Sequence, residues 1–121
     1  MINKNVLISG ASIAGPALAY WLNRIGCKVT VVELSPTLRM GGQGVDVRDQ
    51  SIQVVERMGL MDVVRARRVD DIAANFVDAK NRLIGSLDMQ AIQIEGGGAA
   101  EIRRGELSSV LYDATRNEVE Y

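Results

Sequence analysis

The first third of the chain places one amphipathic stretch between two short apolar runs. Asn5–Ser9 is apolar and ends at a glycine, which favours a strand buried on both faces. Residues 14–26 predict a helix, because Pro16 suits its first turn and Gly26 suits a left-handed C-cap. Lys28–Glu33 is apolar and β-branched and predicts a second buried strand. Strand, helix and strand within about 30 residues indicate one right-handed, parallel βαβ unit.

In the middle of the chain, the spacing of apolar residues changes several times. After a glycine-bearing loop, residues 45–47 predict a short strand, and a helix follows with Asp49 as N-cap and Gly59 as C-cap. Residues 60–68 predict one more short helix. Two β-like runs in residues 72–87 surround Asn81 and predict a hairpin.

The last part of the chain begins with a glycine-rich stretch, residues 93–100, that predicts a flexible loop. Residues 105–116 then predict a helix with a 3.6-residue apolar stripe. The stripe consists of Leu107, Val110, Leu111 and Ala114. Residues 118–121 begin a third buried strand, and the sequence stops inside it. We therefore expect residues 1–121 to be one α/β domain that is incomplete, with no substrate domain.

Composition excludes several classes of function. The net charge of −1 carries no basic stripe, which argues against a nucleic-acid partner, and no apolar run has the length of a signal peptide or membrane span. Cys27 is the single cysteine, which favours a reducing, cytoplasmic location. The chain has no histidine, which removes Ser-His-Asp hydrolysis and His-ligated zinc. Chemistry must therefore come from a bound cofactor or from residues beyond Tyr121.

The turn between the first strand and helix has the layout of a dinucleotide loop, G-x-G-x-x-G. Gly10 and Gly15 hold the first and third glycine positions, and Ser12 replaces the second. Serine is small, and its hydroxyl can donate to a phosphate oxygen. The amides of Ile13, Ala14 and Gly15 would point at an anion from the helix N-terminus. We expect an altered loop that still binds a dinucleotide.

Glu33 identifies the kind of dinucleotide. It follows Gly10 by 23 positions, near the spacing of about 20 expected for the carboxylate that binds a ribose 2′-hydroxyl. A carboxylate there repels a 2′-phosphate, and Leu34 and Ser35 offer no arginine, so the loop favours FAD or NAD over NADP. The alternative is a βαβ unit whose glycines serve only the turn and packing, with Glu33 a solvated strand end.

Three segments taken together resemble one family. Residues 10–33 (GASIAGPALAYWLNRIGCKVTVVE), 39–47 (RMGGQGVDV) and 101–111 (EIRRGELSSVL) are similar to the class A flavoprotein monooxygenases, the p-hydroxybenzoate-hydroxylase-like family. The resemblance runs through the whole chain and covers about the N-terminal third of such an enzyme. It implies a Rossmann-like FAD-binding fold with a parallel sheet and a small β-hairpin. It also implies hydroxylation of an aromatic or polyketide-like small molecule with O₂ and with NADH or NADPH.

The resemblance also implies roles for individual residues. Gly10, Ser12 and Gly15, with the amides of Ile13 and Ala14, would hold the FAD pyrophosphate, and Glu33, next to Leu34, the adenosine ribose. Arg39 matches a position near the meeting point of flavin and nicotinamide, Asp46 a position beside the flavin, and Arg104 an arginine that contacts FAD from a helix start. Arg39 could equally be an exposed loop cation, and Asp46 a cap or turn residue.

Three other interpretations stay open at this stage. This part of the sequence could serve another flavin enzyme of the same broad fold, such as a reductase, oxidase or halogenase. The loop alone would also suit an NAD-binding dehydrogenase. The third interpretation is a non-catalytic nucleotide-binding module, for which an exposed strand edge at Glu118–Tyr121 predicts self-association.

Overall fold

The structure is a computed structural model, and it describes residues 4–69, 73–88 and 99–121. Its chain divides into two compact units, Met1–Gln43 with Arg103–Tyr121, and Gly44–Ile102. The strands are β1 (Asn5–Ser9), β2 (Lys28–Val32), β3 (Gly44–Val47), β4 (Ala73–Val77), β5 (Leu83–Asp88) and β6 (Ala100–Arg103). The helices are α1 (Ala14–Arg24), α2 (Gln50–Arg57), α3 (Met61–Ala66) and α4 (Arg104–Asp113).

The first unit contains the predicted βαβ arrangement. Strands β1 and β2 pair in parallel, from Asn5 opposite Lys28 to Ser9 opposite Val32, with α1 as the connection. Gly26 follows α1 at φ 89°, in the left-handed region that a glycine cap adopts. The predicted parallel α/β fold is therefore confirmed for this unit.

The predicted third strand is present as a single parallel bridge between Thr30 and Glu120. The Val31 N–H donates to the Glu120 carbonyl at 2.7 Å, and the Glu120 N–H donates to the Val29 carbonyl at 3.2 Å. Val119, just before the bridge, is buried in the core of this unit. The end of the chain thus lies beside β2.

Only one face of the β1–β2 pair is buried. Ile8, Val29 and Val31 share a core with Ala19 of α1. Leu7 and Val32 point to the opposite face because successive strand side chains alternate, and they are 70% and 46% exposed. The prediction that β1 is buried on both faces is therefore wrong, because in the described structure α1 covers a single face of the pair.

The second unit contains β3 to β6, α2 and α3, whereas α4 belongs to the first unit. Strands β3 and β6 pair, and Ile102 of β6 bridges Arg68 in antiparallel fashion. Strands β4 and β5 form the predicted antiparallel hairpin, and Asn81 in its turn has φ 60°. The core of this unit consists of buried apolar residues from four elements and their flanks: Val47, Val55, Met58, Met61, Val64, Ala100 and Ile102.

Two predictions in this unit need correction. Ala100 is not part of a loop: it begins β6 and is 1% exposed, because an apolar residue there completes the core. Residues 93–98 of the predicted loop lie outside the described residues. Asp49 precedes α2 as predicted, but its backbone has φ 52° and its side chain makes no capping hydrogen bond. Gly59, at φ 70°, follows α2 as expected.

None of the helices in the described part of the chain has the length and hydrophobicity that crossing a bilayer requires.

Val31 and Val32 offer a direct test of the one-sided core. Val31 is 1% exposed and Val32 is 46% exposed. We expect Val31→Ala to lower the free energy of unfolding by about 2 kcal/mol, through lost burial and the cavity left behind. Val32→Ala, the neighbouring control, should cost about 0.5 kcal/mol or less. Urea denaturation measures both, and equal losses would contradict the assignment of the buried face.

Candidate functional site

A cleft in the first unit has a volume of about 410 Å³. Its walls come from the loop after β1, the end of β2, the segment that follows β2 and the start of α4. The lining residues are Ala11, Ser12, Glu33, Ser35, Thr37, Leu38, Arg39, Met40, Gly41, Gly42, Gln43, Arg104 and Ser108. Four predicted site residues, Ser12, Glu33, Arg39 and Arg104, therefore meet in one cleft.

The first and third glycines of the loop have the roles that the motif requires. Gly10 has φ 104°, a conformation that side-chain-bearing residues rarely adopt, and its N–H donates to the Val32 carbonyl at 2.7 Å. A Cβ on Gly15 would collide with the carbonyl oxygen of Gly10. Helix α1 can therefore start close to the end of β1. Ile13, at its N-cap, makes no side-chain capping bond that would occupy the first-turn amides.

Glu33 links the end of β2 to this loop. Its Oε2 accepts a hydrogen bond from the Ala11 N–H at 2.8 Å, and its Oε1 accepts one from the Ser35 N–H at 2.9 Å. These bonds, the Ala11 bond first, lower the pKa of Glu33, and the charge of Arg39 adds to the effect. Glu33 is therefore an ionised carboxylate at neutral pH. Because each carboxylate oxygen has two lone pairs, both can still accept a hydroxyl donor.

Arg104 reaches the serine that replaces the second glycine. Its Nη2 donates to the Ser12 Oγ at 3.3 Å. Since a guanidinium can only donate, Ser12 is the acceptor and keeps its own hydroxyl proton for another partner. Arg104 is the first residue of α4, and a cation there opposes the helix dipole. A guanidinium in this cleft is able to bind an anion.

Gly105 allows the segment 39–43 to lie against the start of α4. The Gly105 N–H donates to the Gly41 carbonyl at 2.9 Å, and the Arg104 N–H donates to the Gln43 carbonyl at 3.1 Å. A Cβ on Gly105 would lie 2.5 Å from the Gly41 nitrogen and 2.7 Å from the Arg39 carbonyl oxygen. Sequence reasoning missed this contact, for which the glycine after Arg104 was the only signal.

The remaining predicted residues lie elsewhere. The Leu34 side chain is fully exposed. A hydrogen bond from the Leu34 backbone N–H to the Glu33 carboxylate helps to lower the Glu33 pKa. Asp46 belongs to the second unit, in β3, where its carboxylate lies 3.8 Å from the Arg48 guanidinium. Ser108, a buried residue of α4 that lines the cleft, was not predicted as a site residue.

Comparison with known proteins identifies the family. A family model described as pyridine nucleotide-disulphide oxidoreductase matches residues 5–82, more than half of the chain. A flavin-dependent monooxygenase of Phoma sp is 43% identical over 124 residues, which cover 96% of this chain and 28% of that protein. An FAD-dependent monooxygenase of Sarocladium schorii is 38% identical over 127 residues, which cover 100% of this chain and 29% of that protein.

A solved structure shows the same likeness. The tetracycline destructase Tet(55) superposes with a TM-score of 0.83 at 35% identity, over 97% of this chain and 29% of its own. The chain thus spans less than a third of the length of each of these proteins. The chain belongs to the pyridine nucleotide-disulphide oxidoreductase family, and the predicted resemblance to flavoprotein monooxygenases is confirmed.

Proposed function

We propose that this chain is the FAD-binding segment of a flavin-dependent monooxygenase that hydroxylates an aromatic or polyketide-like small molecule with O₂ and NADH or NADPH. The observation that carries the proposal is the cleft in which Ser12, Glu33 and Arg104 meet beside the N-terminus of α1. Relatives named as flavin-dependent or FAD-dependent monooxygenases support it. The nicotinamide donor and the substrate class rest on the family resemblance.

The residues present fit the pyrophosphate of FAD. Gly10 and Gly15 bring the loop and the start of α1 close together, so that the amides of Ile13 and Ala14 belong to a helix N-terminus that favours an anion. The Ser12 hydroxyl proton and the Arg104 guanidinium add two further donors on the same cleft. This set contains only donors and positive charge, which suits phosphate oxygens.

Glu33 is a hydrogen-bond acceptor, which fits the hydroxyl groups of the adenosine ribose. Its carboxylate is ionised and oriented by two backbone N–H groups, and it can accept from ribose hydroxyls. We assign Leu34 a supporting role through its N–H, which also acts on that carboxylate. A 2′-phosphate would meet the charge of Glu33, so the site favours FAD over a cofactor with that phosphate.

We assign Arg39, in the cleft wall, to the region where flavin and nicotinamide meet, and Asp46 to a position beside the flavin. Both roles come from the family resemblance. When bound, FAD would supply the redox chemistry, while this chain's residues bind it and orient it. We assign no catalytic acid or base to the described residues.

The other interpretations are less favoured. An NAD-binding dehydrogenase leaves the monooxygenase relatives unexplained and gives no role to residues 39–47 and 101–111.

Self-association through the strand edge at Glu118–Tyr121 and a cytoplasmic location both stay predictions. Gel filtration of the purified chain addresses the first of these.

The first test is flavin retention. The purified chain, incubated with FAD and desalted, should keep flavin absorbance bands at about one FAD per chain. Gly15→Ala should abolish retention, because its Cβ would collide with the Gly10 carbonyl oxygen. Gly85→Ala is the matched control, since a Cβ on Gly85 meets nothing within 4 Å. A folded chain that retains no flavin would contradict the proposal.

Glu33 should control the choice of ribose. We expect the unaltered chain to bind ADP more tightly than adenosine 2′,5′-bisphosphate, and Glu33→Arg to reverse that order by about tenfold or more, because the charge facing the 2′ position changes sign. Isothermal titration calorimetry measures both ligands.

Two further variants separate charge from folding in that experiment. Glu33→Gln keeps an acceptor oxygen and removes the charge, so it should reduce the preference without reversing it. Glu56→Gln, an exposed glutamate of α2, should change neither affinity. An unchanged preference in Glu33→Arg would remove Glu33 from the site.

Ser12 and Arg104 should act as a coupled pair. We expect Arg104→Gln and Ser12→Gly each to weaken ADP binding, the arginine change by about tenfold as a charge-assisted bond is lost. The double variant should lose less than the product of the single losses, because the two residues share one hydrogen bond. Arg103→Gln, an exposed neighbour, is the control. Independent effects would show that the pair does not act on one ligand group.

A further inference from the structure

Ser108 connects α4 to the glycine loop. Its hydroxyl donates to the Ser12 carbonyl oxygen at 3.0 Å and lies 3.4 Å from the Ala11 carbonyl oxygen. The residue is 4% exposed, so this hydroxyl has little access to water. A buried hydroxyl is retained at low cost only where it has such partners. Ser108 is 96 positions from Ser12 and 97 positions from Ala11 in the sequence.

The two carbonyls fix the direction of two backbone N–H groups. A trans peptide group is planar, with its C=O and the following N–H pointing in opposite directions. When the Ala11 and Ser12 carbonyls point towards Ser108, the N–H groups of Ser12 and Ile13 must point away from it. These are amides of the segment assigned to the pyrophosphate.

Glu33 fixes the peptide group that comes just before. Its carboxylate accepts from the Ala11 N–H at 2.8 Å, in the peptide group between Gly10 and Ala11. Three successive peptide groups of the loop are therefore in contact with Glu33 or Ser108. One donates to Glu33, one accepts the Ser108 proton at 3.0 Å, and the carbonyl of the third lies 3.4 Å from the same hydroxyl. Ser12, which replaces the second glycine of the motif, lies in the middle of this segment.

We propose that Ser108 is a positioning residue that orients the Ser12 and Ile13 amides and so raises affinity for a pyrophosphate. The inference rests on the proposed function, since it takes the loop to be the pyrophosphate site. Ser108 acts through the backbone it holds. Its removal should therefore affect ligands that carry phosphates and spare the part of the ligand bound by Glu33.

Titration of the chain with ADP and with adenosine tests this. We expect Ser108→Ala to weaken ADP binding by about tenfold, the equivalent of roughly one hydrogen bond, and adenosine binding by about twofold or less. Ser108→Thr, which keeps the hydroxyl, should restore most of the ADP affinity. Ser109→Ala changes the next residue of the same helix, which is half-buried, and should leave both affinities unchanged.

The outcomes separate the two proposals. Equal losses for ADP and adenosine in Ser108→Ala would show a general structural role and overturn the inference, as would an unchanged ADP affinity. If the unaltered, folded chain binds neither ligand, the proposed function falls and this inference falls with it. Circular dichroism of each variant confirms that the comparison is between folded chains.

Discussion

The whole site depends on the absence of a side chain at Gly15. The carbonyl oxygen of Gly10 occupies the place that a Cβ would take, so helix α1 begins directly against the end of β1. The Gly10 N–H meanwhile bonds to the Val32 carbonyl, which ties the same turn to β2. A helix N-terminus, with its unpaired amides and favourable dipole for anions, is thereby brought to the carboxyl ends of the parallel strands β1 and β2.

Local sequence places this turn, but distant contacts set its orientation. Glu33 reaches back to the Ala11 N–H, 22 positions away, and α4 contributes Arg104 and Ser108 from more than 90 positions away. The segment 39–43 closes the cleft only because Gly105 leaves room for it. The cleft assigned to the nucleotide is therefore a tertiary feature, although the glycine motif spans six residues.

This division explains which features the sequence could predict. The βαβ unit, the hairpin and the apolar stripe of α4 follow from the local spacing of apolar residues and from the turn residues between them. The position of Glu33 beside the loop follows from its spacing to Gly10. Ser108 was missed because a serine on a helix gives no sign of a partner 96 positions away. The predicted burial of Leu7 was wrong, and the place of Ala100 in a buried strand was missed. Both depend on which elements pack against a strand, which the local sequence does not show.

The charges of the cleft include one that is unfavourable for its own helix. Arg104 begins α4, where its charge opposes the helix dipole, and its guanidinium meets Ser12 beside the N-terminus of α1. Two helix N-termini and the cations Arg39 and Arg104 thus concentrate positive potential, while the ionised Glu33 lies at the end of β2 in the same cleft. In the proposed function, the ligand carries negative charge at the loop and hydroxyl donors at Glu33. The ADP portion of FAD has both, in that order along its length.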